Sequence, residues 1–385
     1  MNKKNPLLRN NGVQTFITSI ICIILGLIVG FAALLIINAE GAGEAILGVI
    51  KNFFNKPTSA TRLQYFGQTL VKTAPLLLCS LSVLFAYKVG LFNIGVAGQY
   101  CLGVMMAIYS GYVWKLPWWA CLLLGIIAGA ASGALCGLLK AYFNVNVVIS
   151  GIMLNWISLY GTNLLLQAAK EKTGKDTVRL LSKAKQAVLP SLGLDKLFGD
   201  KYVTIAIPLA IIMAVLIWIL LDKTKLGFEL KATGNNVNAA KYCGMKENRN
   251  IILTMVIGGG LAAMGGALYY LSDYTQWNVN ASSVPGMGFN GIAAAFLGGL
   301  NPLGAIFSSY FITHITDGGA YVDLSHYCAQ IADLISAVII YLCGFVLFFK
   351  TLINNRLRKA EERFTAKERD AVKAAEVKSE GGNQK

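Results

Sequence analysis

The sequence predicts an all-α integral membrane protein of about ten transmembrane helices with an inverted pseudo-repeat, and three observations carry that prediction. Hydrophobic residues make up 55% of the chain against 14% charged, and the mean hydropathy is +0.57; such a composition excludes an ordinary soluble domain. Several apolar runs are long enough to cross a hydrocarbon core of roughly 30 Å. Two late runs are short and interrupted by Gly298, Gly299, Asn301 and Pro302, the pattern of discontinuous helices around a membrane-embedded site.

Taken in order, the first run, Thr15–Asn38, follows Lys3, Lys4 and Arg9 and is too long for the apolar core of a cleaved signal, so it reads as an uncleaved first helix. Further spans are expected near Gln68–Tyr87, Ile94–Trp114, Pro117–Phe143, Val147–Gln167, Tyr202–Leu221, Ile251–Leu271, Met287–Leu300, Leu303–Thr316 and His326–Phe349. An even number places both termini on one side. The basic tail beyond Lys350, with Lys3, Lys4 and Arg9, assigns that side to the cytoplasm, and most of the 34 Lys and Arg residues then lie inside, as the positive-inside rule requires. The loop 168–201 falls outside, although Lys170–Lys201 carries eight basic residues against four acidic. It is either solvated or faces an acidic partner. Residues 1–350 thus form one transmembrane domain, and 351–385 form a charged cytoplasmic tail that reads as a frayed helix.

Between the sixth and seventh spans lies a polar segment of 29 residues, Asp222–Asn250, expected in the cytoplasm. Asn235 and Asn236 can accept hydrogen bonds from the first free N–H groups of a helix, and Gly244 suits a left-handed stop. A short helix, Val237–Cys243, is predicted. Ala239 and Ala240 at its centre are too small to hold a partner surface away, and Lys241 and Tyr242 stand beside them. The segment is either a docking element for another subunit or a solvated hairpin.

Reactive chemistry is not legible. Cys22, Cys79, Cys101, Cys121, Cys136, Cys328 and Cys343 fall in apolar spans, Cys243 stands alone in the polar segment, and no CxxC pair occurs, so the cysteines read as small hydrophobes. His314 and His326 are too few for a zinc site. The pair Gly174–Lys175 is followed by Asp176, so it is no phosphate-binding GxxxxGK[ST] loop. Any ATP and Mg must be bound by another chain, and no cofactor is expected in this one. Lys72 finds no convincing serine and Asp333 stands alone in its span, which argues against an intramembrane enzyme. Asp317 and Asp323 read as loop charges.

Small residues mark packing. Gly125, Gly129, Gly133 and Gly137 recur every four residues and line one helix face; Gly258, Gly259, Gly260, Gly265 and Gly266 form a second cluster that packs or hinges. A short internal repeat relates Phe92–Gly98 to Phe289–Ala295, on opposite faces of the ten-span topology, as in inverted-repeat transporters. Asn93, Gln99, Asn155 and Asn290 are the intramembrane amides that suggest a solute path. Neutral amides suit a sugar or nucleoside better than an ion, and Phe92, Trp156 and Phe289 offer apolar ring faces. The alternative is that the amides tie helices together and the rings pack.

Three runs in order, Gly90–Tyr100 (GLFNIGVAGQY), Gly227–Met245 (GFELKATGNNVNAAKYCGM) and Gly288–Ile306 (GFNGIAAAFLGGLNPLGAI), resemble the permease subunits of bacterial ABC importers of the branched-chain amino acid and ribose group. The nucleoside, guanosine-type branch is most similar, and the resemblance covers about Thr15–Phe349. It implies a type II ABC importer-like permease in the bacterial plasma membrane that takes up nucleosides, in the first place purine nucleosides, by alternating access. It also implies a cytoplasmic ABC ATP-binding subunit that hydrolyses the ATP, a second permease subunit forming a heterodimer, and an extracytoplasmic substrate-binding lipoprotein. Beyond these and membrane lipid, no nucleic-acid partner is expected. By the same resemblance Gly227, Phe228, Glu229, Ala232, Gly234, Ala239, Ala240 and Gly244 belong to the coupling loop. Ala97 stands where many relatives carry Glu or Pro, so no ligand role is assigned there. Two alternatives stay open: an ABC permease for a monosaccharide such as ribose or galactose, and an ion-coupled secondary nucleoside transporter, which should carry well-placed intramembrane acids.

Overall fold

A computed structural model describes residues 11–169, 176–178, 180, 184–322 and 327, with scattered positions in 334–356. The tenth expected span, His326–Phe349, lies mostly outside the described residues, as do Asp323, Asp333, His326, Cys328, Cys343, residues 170–175 and the tail beyond 356.

The described residues are all-α apart from one short ladder. α1 (Asn11–Ile37) is followed by α2 (Ala42–Lys51) and a 3-10 turn at Asn52–Asn55. Then come α3 (Ser59–Lys88), α4 (Val96–Tyr112), α5 (Trp118–Phe143) and α6 (Val147–Ala169). After β1 (Thr177–Val178) and α7 (Leu194–Phe198), α8 (Ala206–Lys223) leads through α9 (Lys225–Asn235) and α10 (Val237–Tyr242) to α11 (Glu247–Leu271). β2 (Trp277–Asn278), α12 (Gly286–Leu297) and α13 (Pro302–Gly318) complete the series.

Among the described residues, six helices are long and apolar enough to cross a membrane: Ile17–Ile37, Ser59–Lys88, Trp118–Phe143, Val147–Ala169, Ala206–Lys223 and Glu247–Leu271. The protein is therefore a multi-pass membrane protein. α4 and α13 have 17 residues each, which at 1.5 Å per residue gives roughly 26 Å of helix. α12, with 12 residues, is the shortest of the helices matching an expected span.

α2, α7 and the β1–β2 ladder were not expected. α2 buries Ala42, Ala45, Gly48 and Val49 on one stripe; ten residues carrying Glu44 and Lys51 cannot span a bilayer, so a hydropathy reading passes over them. β1 and β2 pair antiparallel, Thr177 with Asn278 and Val178 with Trp277, and a two-residue ladder leaves no alternation to detect. The segment Asp222–Asn250 is also a correction, because it is mostly helix rather than loop. Gly227, Leu230 and Thr233 lie one turn apart and form a buried stripe, which docks α9 although its mean composition is polar.

α3 and α11 occupy the centre of the bundle. The α5 glycines share one face, as their spacing predicts, and that face meets α11: a Cβ on Gly133 would run into the Met255 carbonyl, one on Gly129 into Ala263, and one on Gly137 would come within 2.8 Å of the Ile252 Cα. Gly259 returns the approach against the Gly129 carbonyl. In lipid, where apolar burial gives no driving force between helices, backbone contact of this kind supplies the attraction.

The α12–α13 corner follows its sequence closely. Gly299 and Leu300 take positive φ, +65° and +55°, Asn301 Oδ1 accepts from the N–H of Leu303 (2.9 Å), and Pro302 opens α13, where its missing N–H does no harm.

Asp317 is not a loop charge. It lies in the last turn of α13, and its Oδ1 accepts from Lys72 Nζ on α3 at 2.7 Å. The sequence reading failed here because the partners are 245 residues apart.

Candidate functional site

Two regions hold the candidate residues, one inside the bundle and one at its end. Inside, the chain leaves α3 and runs back as the non-helical segment Leu91–Asn93 before α4 begins. Asn93 is fully buried and donates through Nδ2 to Gln99 Oε1 (2.9 Å) and Ser82 Oγ (3.1 Å). Asn155, on α6, accepts from the Gly98 N–H (2.7 Å) and donates to the Ile94 carbonyl (3.0 Å). It therefore satisfies one of the N–H groups that the first turn of α4 leaves without an intrahelical partner. Asn93, Gln99 and Asn155 come together as a clasp that holds the unwound segment between α3, α4 and α6.

The remaining predicted residues are arranged differently. Phe92 meets Tyr87 edge-on, with ring centroids 6.5 Å apart. Phe289 is exposed and Asn290 half-buried near the start of α12, beside Gly288, where a Cβ would come within 2.6 Å of the Ala97 Cα. Ala97, within Phe92–Gly98, thus meets Gly288, the residue just before Phe289–Ala295. Trp156 is exposed on α6 and stacks on Tyr160, with centroids 6.0 Å apart and planes 24° apart. Sequence reasoning missed Ser82 and Tyr160; the i, i+4 spacing of Trp156 and Tyr160 was the available signal.

The second region is a helical platform built by α9 and α10. Thr224 caps α9 by accepting from the Gly227 N–H (3.1 Å). Gly227 sits at the α8–α9 corner, where a Cβ would come within 2.7 Å of the Leu221 Cα, and Gly234 abuts Val89 at the end of α3 just as closely. Of the two asparagines, Asn236 caps α10 by accepting from the Ala239 N–H (3.0 Å), while Asn235 ends α9. Gly244 follows with φ +78°, the left-handed stop. Asn250 donates to Thr233 (2.8 Å) and locks α9 to α11 where both are buried.

This construction sorts the residues that the sequence places in the polar segment. Gly227 and Ala240 are buried and Gly234 is packed, so they build the platform. Glu229 and Ala232 are half-buried, whereas Phe228, Ala239 and Gly244 lie exposed, together with Tyr242 at 93%. Phe228 on α9 and Tyr242 on α10 thus leave large aromatic side chains uncovered by this chain.

Residues 65–344 match the branched-chain amino acid transport system / permease component family. The chain belongs to that family. This permease is 32% identical over 330 residues to the guanosine ABC transporter permease protein NupP of Bacillus subtilis, covering 83% of this chain and 90% of the relative. Against the nucleoside ABC transporter permease protein NupB of Lactococcus lactis it is 30% identical over 385 residues, 97% of this chain and 99% of the relative. It also matches the glucose ABC transporter permease protein TsgB13 of Haloferax volcanii, 29% identical over 347 residues, 86% and 88% of the two chains. No solved structure matches it.

Proposed function

We propose that this permease is the membrane subunit of an ATP-driven importer of purine nucleosides, working in a bacterial plasma membrane by alternating access. The observation that carries the reading is similarity over almost the entire chain to permeases named for guanosine and nucleosides. The residues agree with it, since Asn290 and the rings of Phe92, Trp156 and Phe289 offer neutral hydrogen bonds and stacking faces rather than charges.

In this reading ten spans arise from the six long helices, α4, α12, α13 and the run His326–Phe349, with both termini in the cytoplasm. The Ala97–Gly288 contact is then the seam of an inverted repeat. Asn93, Gln99 and Asn155 shape the unwound segment, and Phe92, Trp156, Phe289 and Asn290 line the path. The α9–α10 platform faces a cytoplasmic ATP-binding subunit, which holds the ATP and Mg. ATP binding there draws this platform toward that of a second, non-identical permease and favours one of two states of the path. Only such a state-dependent interaction can shift the balance. An extracytoplasmic lipoprotein delivers solute at the opposite end.

The test is uptake of radiolabelled guanosine, adenosine, uridine, ribose and glucose by cells expressing this chain with its neighbouring permease, ATPase and binding-protein genes, with the ATPase Walker lysine intact or replaced. Nucleoside uptake lost with that lysine is the expected result. Uptake that survives the replacement points to ion coupling. The glucose permease relative supports one second reading, a monosaccharide cargo, and uptake of sugar alone would establish it.

A further inference from the structure

The buried amides Asn93, Gln99 and Asn155 are already committed to protein partners, so they cannot contact solute without releasing the clasp that holds α4. Free neutral hydrogen-bonding groups occur instead toward the far end of α6. A groove of about 610 Å³ lies there between α6 and the segment after β2, lined by Tyr160, Gly161, Asn163, Gln167, Asn280 and Ser282 among others. That volume falls within the range of pockets for drug-sized ligands.

Its far wall is fixed. Asn163 Oδ1 accepts from Trp277 Nε1 (2.9 Å) and its Nδ2 donates to the Ala281 carbonyl (2.8 Å), while the Val279 N–H is held by the Asp176 carbonyl (2.9 Å). Its rim is open: Gln167, Asn280 and Ser282 are exposed, and a Cβ built on Gly161 would meet nothing within 4 Å. The lining contains no charged side chain among the described residues, so a phosphate group would find no counter-charge. Tyr160 presents a ring at the groove, and its stack on Trp156 continues that aromatic surface one turn toward Asn155.

We propose that this groove is an outer subsite for the nucleoside, with the base stacked on Tyr160 and its edge and ribose hydroxyls bonded by Gln167, Asn280 and Ser282. The proposal rests on the nucleoside reading above and specifies where this chain first holds the solute. The chemistry of each group fits, since aromatic rings accept any base face, while amides and hydroxyls both donate and accept. Leu164, Val279 and Ala281 complete the lining and give the base apolar contact between the polar groups of the rim.

The experiment uses the assembled transporter. Guanosine uptake by the wild type is read first and tests nucleoside import independently of this groove. Given wild-type uptake, Tyr160→Ala should raise the guanosine KM about fivefold or more at an unchanged maximal rate, and Tyr160→Phe should stay near wild type. Separately, Asn280→Cys in a Cys243→Ser background should react with an impermeant maleimide added outside, and saturating guanosine should slow that reaction. All three lining side chains to be changed are exposed, so insertion should be normal and is checked by membrane level. Wild-type KM in Tyr160→Ala, Gln167→Ala and Asn280→Ala, with Asn280→Cys labelling indifferent to guanosine in a transporting variant, would overturn the subsite while leaving nucleoside import standing.

Discussion

The Lys72–Asp317 pair is partly exposed, with side chains at 33% and 15%, and Thr69 Oγ1 adds a second donor to Asp317 at 3.3 Å. Removing one member leaves a charge among apolar helices. A fully buried pair loses about 3–5 kcal/mol on such a change, and partial exposure lowers this to about 1–2 kcal/mol. Asp317→Asn should therefore lower the melting temperature of the purified protein, and the double variant Lys72→Met/Asp317→Leu should recover most of the loss, because an apolar pair needs no partner. Equal melting of Asp317→Asn and wild type would remove the pair as a tie between α3 and α13. The clasp makes a companion case. Asn155→Ala orphans the Gly98 N–H and the Ile94 carbonyl, for about 1–3 kcal/mol, so thermal stability should fall together with uptake. Lost uptake at unchanged melting temperature would instead identify Asn155 as a solute contact.

Among the elements, α10 offers the sharpest contrast, because its two central alanines differ in what they face. Ala239 is exposed and Ala240 is 3% exposed. Ala239→Arg should leave insertion and melting near wild type yet abolish uptake, whereas Ala240→Arg should depress the amount of folded protein, as overpacking does. Identical behaviour of both variants would sink the assignment of α10 as a docking face. Such local features were legible where a few adjacent residues decide them. Asn236 and Gly244 bracket α10, Asn301 and Pro302 start α13, and the four-residue glycine spacing of α5 marks the face that meets α11. Features set by sequence-distant partners were not: the Lys72–Asp317 pair, the β1–β2 ladder and the burial of α9 depend on contacts that no window of sequence contains. The amides Asn93, Gln99 and Asn155 were found as polar residues at membrane depth, but their saturation by Ser82, Gly98 and Ile94 became visible only when the segments met.

Across the whole molecule, the platform and the groove belong at opposite ends of the bundle. α6 begins beside the clasp that lies next to the α3 terminus and Gly234, and it reaches the groove at Asn163. The import proposed above requires this polarity, because in that reading solute arrives at one face and energy at the other. Cys243 makes the orientation measurable, since it is the exposed member of the described cysteines, next to Tyr242, while Cys22, Cys79, Cys101, Cys121 and Cys136 are buried. With the platform in the cytoplasm, an impermeant maleimide added to intact cells should leave Cys243 unmodified, and the same reagent should modify it after permeabilisation, with Cys243→Ser as the blank. Co-expression of the ATP-binding subunit should then shield Cys243, because a partner seated on Phe228, Ala239 and Tyr242 covers the next residue of the same turn. Modification of Cys243 in intact cells would reverse the topology, place the α9–α10 platform outside, and withdraw it from any contact with a cytoplasmic ATPase.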